Sequence, residues 1–436
     1  MIIPGNHQTT IRFAVIGVIV LAMLIPLAMV EGVTEERQRF FDATLQDIAN
    51  AWGNAQNLSG PFLIVPEIHR YQVKNDAGVF IWHKRRRERV VLPEALALDI
   101  QIKHQFRRRA IYEVPVYSAD IRVKGRFPAL DSLQIDSENV TLLPDQARMV
   151  AGISHTQAIS TASIVKVGSE ETRFAAGTEQ PWVGKGVHAI LPLVPTSEST
   201  PFEFDLTLRG TRALGFTPAG NTTEVTMSST WPHPSFKGAY LPENYDLTEQ
   251  GFSANWTIHE LARNMPGDWL IDKNNPVPPG EYACINLFQP VTDYRIVERS
   301  IKYGLLFIAL TFLGFVCFEL TTSLRFHPVQ YGVVGAGLVL FYLALLSLSE
   351  HVPFSLSYLI ATVVLTTLIS WYVFAMTGIW RLCIWMAGVV AALYTTLYIL
   401  LQLEAFALLT GTAVLFAGLI ALMYTTRSLT IRSPSS

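Results

Sequence analysis

The sequence predicts an integral membrane protein with six transmembrane α-helices, one N-terminal and five C-terminal. A large, mainly antiparallel-β domain outside the bilayer follows the first helix. Three observations carry this reading. Six apolar segments fall at residues 13–30, 303–322, 329–348, 354–376, 382–401 and 405–424, each near the roughly 20 residues needed to cross about 30 Å of hydrocarbon. Between the first and second lie residues 31–302, mostly polar and rich in alternating patterns. The basic residues of the short loops fall on one side only.

The N-terminal segment, residues 1–30, combines a short tail with an anchor helix that has no charge between Arg12 and Glu31. A cleaved secretory signal is the rival reading, because Ala28-Met29-Val30 loosely imitates a small-residue cleavage site. The apolar run is long for a signal peptide, and a helix-compatible stretch follows it. Across residues 33–52, Phe41, Leu45, Ile48 and Trp52 recur on one helical face. An uncleaved helix that leaves the bilayer and packs beneath the domain accounts for that spacing.

Residues 31–302 read as strands. Leu96, Leu98, Ile100 and Ile102 alternate with polar neighbours, as do Phe202, Phe204, Leu206 and Leu208, then Phe252, Ala254, Trp256 and Ile258. Alternation buries one face of a strand and wets the other. Gly60-Pro61, Leu92-Pro93, Pro218-Ala219-Gly220 and Pro278-Pro279-Gly280 punctuate the runs. Short strands with regular turns predict a sandwich-like fold, in one lobe or two.

Residues 303–426 form the expected five-helix bundle, and residues 427–436 a tail. Arg12, Arg325, Arg381, Arg427 and Arg432 mark one side of the membrane. The alternate loops, Ser349-Glu350-His351-Val352-Pro353 and Gln402-Leu403-Glu404, hold no Lys or Arg. Cytoplasmic termini and an external β domain follow from this bias. Gly332, Gly335, Ala336 and Gly337, and further along Ala407, Gly411, Ala413, Ala417 and Gly418, give close-packing helix surfaces.

Composition narrows the function. Half the residues are hydrophobic, 16% are charged and the net charge is −2, so nothing draws the chain toward nucleic acid. The three cysteines, Cys284, Cys317 and Cys383, are spread between the domain and the spans and make no disulfide framework. No phosphate-binding loop, dinucleotide fingerprint or zinc-protease motif occurs, so no cofactor or metal is expected. Gly152-Ile153-Ser154-His155-Thr156 lacks the second glycine of a nucleophile elbow, and Ser154 reads as a strand-end serine.

Three groups remain as candidate sites. Trp231-Pro232-His233-Pro234-Ser235-Phe236-Lys237-Gly238 is too rich in proline for a helix or an interior strand. It reads as a rigid loop that either plugs the β core or presents Trp231, His233, Phe236 and Lys237 for recognition. His233 has no second His or Cys at ligand spacing. Among the spans, Glu319, Arg325, His327, Glu350 and His351 are the ionisable residues to explain. They line a proton or ion path, or they sit near the interfaces, with Glu319 paired to Arg325. The basic runs Lys84-Arg85-Arg86-Arg87-Glu88-Arg89 and Arg107-Arg108-Arg109 suit anionic headgroups or envelope polymers, or else are a solvated face.

The loop from Trp231 to Pro242, together with Pro218-Ala219-Gly220 and Gly251-Phe252-Ser253-Ala254-Asn255-Trp256, resembles the CreD inner-membrane protein family. So do Gly60-Pro61-Phe62-Leu63-Ile64-Val65-Pro66, Ala309-Leu310-Thr311-Phe312, Phe318-Glu319, Arg325-Phe326-His327-Pro328-Val329-Gln330-Tyr331 and Leu348-Ser349-Glu350-His351. The resemblance spans nearly the whole chain in order. One departure is Ser154-His155-Thr156-Gln157-Ala158-Ile159, where the family tends to read Ser-Asp-x-Arg-Gly-Ile. The resemblance implies a Gram-negative inner-membrane location, a periplasmic domain and a role in envelope integrity and stress response, with no catalytic residue.

Three function classes follow. An interaction protein would act through the external domain on envelope proteins or anionic polymers beside its lipid bilayer. A carrier would need a polar cavity lined by Glu319, Thr311, Thr366 and Thr367. An envelope enzyme would need a convergent acid, base or nucleophile, and the sequence offers none. The first is the expectation.

Overall fold

The computed structural model describes residues 6–76, 78–110, 112–133, 139–193, 198–263, 265–271, 280–287, 293–321, 325–403 and 407–426. The expected turn residues Pro278-Pro279, Glu404 and the tail 427–436 with Arg427 and Arg432 lie outside them. The chain divides into a helical unit, Met1–Asp42 with Val291–Ser436, and a β unit, Ala43–Pro290.

The helical unit opens with α1 (Asn6–Ala22), broken at Met23 and resumed as α2 (Leu24–Trp52). Then come α3 (Asp293–Lys302), α4 (Gly304–Thr321), α5 (Pro328–Ser349), α6 (Phe354–Thr377), α7 (Trp380–Gln402) and α8 (Ala407–Thr426). Among the described residues, four helical stretches are long and apolar enough to cross a membrane: Ile11–Trp52, Pro328–Ser349, Phe354–Thr377 and Trp380–Gln402. A fifth candidate is the bent pair Tyr294–Lys302 and Gly304–Glu319, which meet at 49°. The last helix is apolar over Leu409–Tyr424, shorter than the others.

Both edges of the β unit fall inside the expected 31–302, and helices explain why. Helix α2 runs straight through residue 31, and α3 belongs to the helical unit, where Tyr294 donates to Glu350 (3.2 Å). The amphipathic face of α2 divides between the units. Phe41 packs near Tyr294, with ring centres 6.3 Å apart. Leu45, Ile48 and Trp52 pack on Val114 and Val116.

Four long strands frame the β unit: β1 (Gln56–Lys74), β2 (Phe80–Val91), β3 (Ala95–Arg109) and β4 (Tyr112–Phe127). One sheet is built on β1, which pairs antiparallel with β2 and Ala147–Ile153 but parallel with Ala213–Thr217. The other is built on β3, antiparallel to β4 and parallel to Thr222–Ser229. Each sheet is therefore mainly antiparallel, as expected, with one parallel pairing among the described residues that the sequence did not announce. Alternation reports which face of a strand is buried and is blind to the direction of its neighbour. The predicted alternations do face inward: Leu96, Leu98, Ile100, Ile102, Phe202, Phe204, Leu206, Leu208, Phe252, Ala254, Trp256 and Ile258 are all buried in one core contributed by both sheets.

Candidate functional site

The ionisable residues of the helical unit form two clamps. Glu319, 8% exposed, accepts from Arg12 Nη2 (2.8 Å) and from the Phe326 amide (2.6 Å), and Arg12 also donates to the Phe326 carbonyl (2.6 Å). The partner of Glu319 is thus Arg12 of the first span; the expected pairing with Arg325 does not form, and Arg325 is exposed. The choice of partner follows from position. Arg12 reaches Glu319 across the helix interface, whereas Arg325 lies in the turn beyond it. At the other end Glu350 takes Arg37 (3.6 Å) and the Tyr294 hydroxyl (3.2 Å). His327 caps α5: its Nδ1 accepts from the Val329 amide (3.3 Å) while Gln330 accepts from the His327 amide (2.7 Å). His351 bonds the Ser347 carbonyl (3.2 Å).

Of the residues a carrier would gather, Thr366 is half-buried, with a hydroxyl that has no hydrogen-bond partner among the described residues. Thr311 is buried and donates to the Phe307 carbonyl of its own helix (2.7 Å), and Thr367 is exposed. The recess lined by Phe315, Phe326, Gln330, Tyr331, Val334 and Met376 is too narrow to hold a water molecule.

The proline-rich segment is packed rather than presented. Trp231 is 5% exposed, its indole donates to the His233 carbonyl (3.1 Å), and its ring meets His104 (5.3 Å) and Phe106 (6.2 Å). Phe236 is half-buried among Tyr245, Phe252 and Trp256. Pro234–Gly238 is an edge strand on Ala283–Leu287, a place where proline costs no ladder bond. Only His233 and Lys237 of the four candidates are exposed. The aromatics of a stacking platform are therefore part of the core here. Ser154 likewise ties strand ends, its Oγ accepting from the Asn57 amide (3.2 Å).

The second basic run is also engaged. Arg107 lies over the Trp52 ring (4.2 Å), with Arg209 also near it (5.0 Å). Arg108 pairs with Glu113, and Arg109 with Asp47 (3.3 Å). This hairpin end is fastened to α2, so it is not a free cationic surface.

The first run is different. Strands β1 and β2 pair in register from Leu63↔Val91 out to Lys74↔Phe80. Their inner ends are core. Glu67, the last fully buried residue on β1, is 1% exposed and pairs with Arg89 (3.1 Å), which also pairs with Asp268. Burial opposes the Arg89 charge, but the two carboxylates outweigh it and hold its pKa above the ordinary value. Val140–Leu142 pairs with β1 only over Glu67–His69. The Arg70 amide also donates to the Asn139 carbonyl (2.9 Å). Beyond it, among the described residues, the two strands pair only with each other, an arm of about 13 Å from Arg70 to Lys74 at about 3.3 Å per residue.

Directly opposed residues share a face, so the register sorts the arm into two. One face carries the pairs Lys74/Phe80, Gln72/Trp82, Arg70/Lys84 and Ile68/Arg86. The other carries Val73/Ile81, Tyr71/His83, His69/Arg85 and Glu67/Arg87. Phe80 is 63% and Trp82 56% exposed. Tyr71 stacks on His69 (5.9 Å) and on His83 (5.8 Å). Sequence reading found Lys84, Arg85, Arg86 and Arg87 but missed Phe80, Trp82 and Arg70, which only the register places beside them. The alternation Phe80-x-Trp82-x-Lys84-x-Arg86 was the available signal.

Among solved structures the chain is similar to an M1 zinc metallopeptidase from Deinococcus radiodurans at 10% identity and a TM-score of 0.23, over 45% of this chain and 42% of that one. The same enzyme in a substrate-bound form gives 11% and 0.24. Likenesses at that score carry no argument. The chain is 30% identical to the inner membrane protein CreD of Escherichia coli (strain K12), over 94% of this chain and 91% of that one. The family model described as inner membrane protein CreD matches residues 8–431, a range that takes in the first span, the β unit and the C-terminal helices. This chain belongs to the CreD family of inner-membrane proteins.

Proposed function

We propose that this protein supports cell-envelope integrity by binding, through a periplasmic β unit, rather than by catalysis or transport. The observation that carries the reading is a contrast. In the helical unit Arg12, Glu319, Glu350 and His327 are engaged in clamps and a cap, while the β unit extends an arm whose aromatic and cationic side chains are exposed. Soluble surfaces rarely leave large aromatics clustered without a partner. Six spans with cytoplasmic termini fit the basic loops, with Arg12, Arg325 and Arg381 on one side.

Carriage of a solute is the alternative, and one experiment separates the two. In cells lacking their own copy, uptake of a hydrophobic dye measures envelope integrity. The full chain restores the barrier, and Arg85→Ser/Arg86→Ser/Arg87→Ser restores it poorly at equal membrane abundance. Full restoration by that variant, with loss in an abundant Glu319→Gln protein, overturns binding in favour of transport.

A further inference from the structure

The arm has a partner chemistry written on one of its faces. Phe80 and Trp82 occupy the outer two pairs, and Lys74, Arg70, Lys84 and Arg86 surround and follow them. No carboxylate lies on this face between the Ile68/Arg86 pair and the tip. Among the described residues none of these four cations makes an ion pair; Lys74 sits 5.9 Å from the Phe80 ring, and Arg86 donates to Gln146 (2.9 Å). Glu88, the first acid on this side, is taken by Arg148 (2.6 Å) and Gln180 (2.7 Å).

We propose that this face seats on the surface of an anionic lipid bilayer, with Phe80 and Trp82 in the interfacial layer and Arg70, Lys74, Lys84 and Arg86 on lipid phosphates. The proposal rests on the binding reading above and names its partner. Aromatic rings with a polar or cationic surround favour the membrane interface, and clustered Lys and Arg favour anionic headgroups. Phe80 and Lys84 are about 13 Å apart at about 3.3 Å per residue and Lys74 lies opposite Phe80, so rings and cations sit side by side along the arm, and the long Lys and Arg side chains reach the phosphates beside the rings. The apex decides the pose. Asn75 and Asp76 are polar and exposed beside an exposed Val79 in the same turn, and the cations continue inward along the face to Arg86, so the arm lies along the surface and does not enter tip first. The opposite face, with Tyr71 held between His69 and His83, then points away from lipid.

The test uses the full chain with Cys284, Cys317 and Cys383 replaced by Ser and Gln72→Cys carrying a fluorophore. It is reconstituted into vesicles of phosphatidylcholine alone or mixed with phosphatidylglycerol, each containing nitroxide-labelled lipid. Quenching by the lipid nitroxide reports contact whichever way the protein inserts. Strong quenching is expected in the anionic vesicles and weak quenching in the neutral ones. Removing Lys84 or Arg70 lowers the contact equilibrium about fivefold each. Phe80→Ser/Trp82→Ser abolishes quenching, while Tyr71→Ser on the opposite face leaves it unchanged and controls for folding. No quenching in anionic vesicles, or equal quenching in both, overturns the proposal. An unquenched arm together with failed barrier restoration by the Arg85/Arg86/Arg87 variant assigns the arm a non-lipid partner, which also overturns it while leaving the binding reading intact.

Discussion

Glu67 sets the strictest local demand in the β unit. Its carboxylate is 1% exposed, at the point where β1 leaves the core, and Arg89 is the cation that neutralises it. Removing one partner of such a pair strands the other's charge, whereas removing both leaves an apolar contact. Arg89→Met should destabilise the β unit by about 3 kcal/mol, and Arg89→Met/Glu67→Leu should recover to within about 1 kcal/mol of the parent. Urea unfolding of the full chain in micelles, followed by tryptophan fluorescence, measures both; equal losses in the single and double variants would count against a buried pair. Cys284 gives a second residue-scale expectation. Burial pushes its thiol above the ordinary value, and the nearby Lys237 only partly opposes this. Alkylation at pH 8 should therefore run slower than for a free thiol and should still be rising with pH where the free thiol has levelled off. A rate matching the free thiol across that range would refute it.

Among the elements, the first span is fixed to the bundle by shape as well as charge. At Gly335 on α5, an added Cβ would lie 2.8 Å from Met23 Sδ and 3.1 Å from Phe312. Met23 is where α1 breaks from α2. Two of the small residues read from the sequence serve close packing within the chain, Gly335 admitting Met23 and Gly418 admitting Leu310, while Gly332, of the expected pair with Ala336, has open space around it. Overpacking such a contact costs about 1–3 kcal/mol. Gly335→Ala should lower the thermal midpoint in detergent, and Gly332→Ala should not. The charged clamp adds to this. A double-mutant cycle of Arg12→Ala and Glu319→Ala should give a coupling of about 1–3 kcal/mol, since the two residues touch. Additive losses would mean that the pair contributes nothing to joining α1 and α4.

At the scale of the whole molecule, what the sequence made legible was periodic. Apolar runs named the four helical stretches, or five with the bent pair, that among the described residues are long and apolar enough to cross a membrane, and alternation named the buried faces of β3, Thr200–Thr211 and Gly251–His259. Pairing across long separations was not legible. Nothing local to Glu319 points to Arg12, and nothing in β3 announces a parallel neighbour at Thr222–Ser229. A proline-rich aromatic segment reads alike whether it covers a core or presents a surface, so Trp231 could be placed only by its neighbours. The arm shows the same limit, because its cations were visible in sequence and its aromatic face required a register. One expectation for the whole chain rests on sequence bias alone, the side on which each loop lies. With the native cysteines replaced by Ser, single cysteines at Leu261, His351 and Leu403 should react with a membrane-impermeant maleimide on intact spheroplasts. Cysteines at Ile379 and Ser433 should react only after lysis. The first three sites belong to the β unit and to the loops without Lys or Arg, and Ile379 adjoins Arg381. Leu403 and Ser433 together test the sixth crossing, since Leu403 outside and Ser433 inside require α8 to span the bilayer. Labelling of Ser433→Cys on intact spheroplasts would reduce the count to five and move the C-terminus to the periplasm.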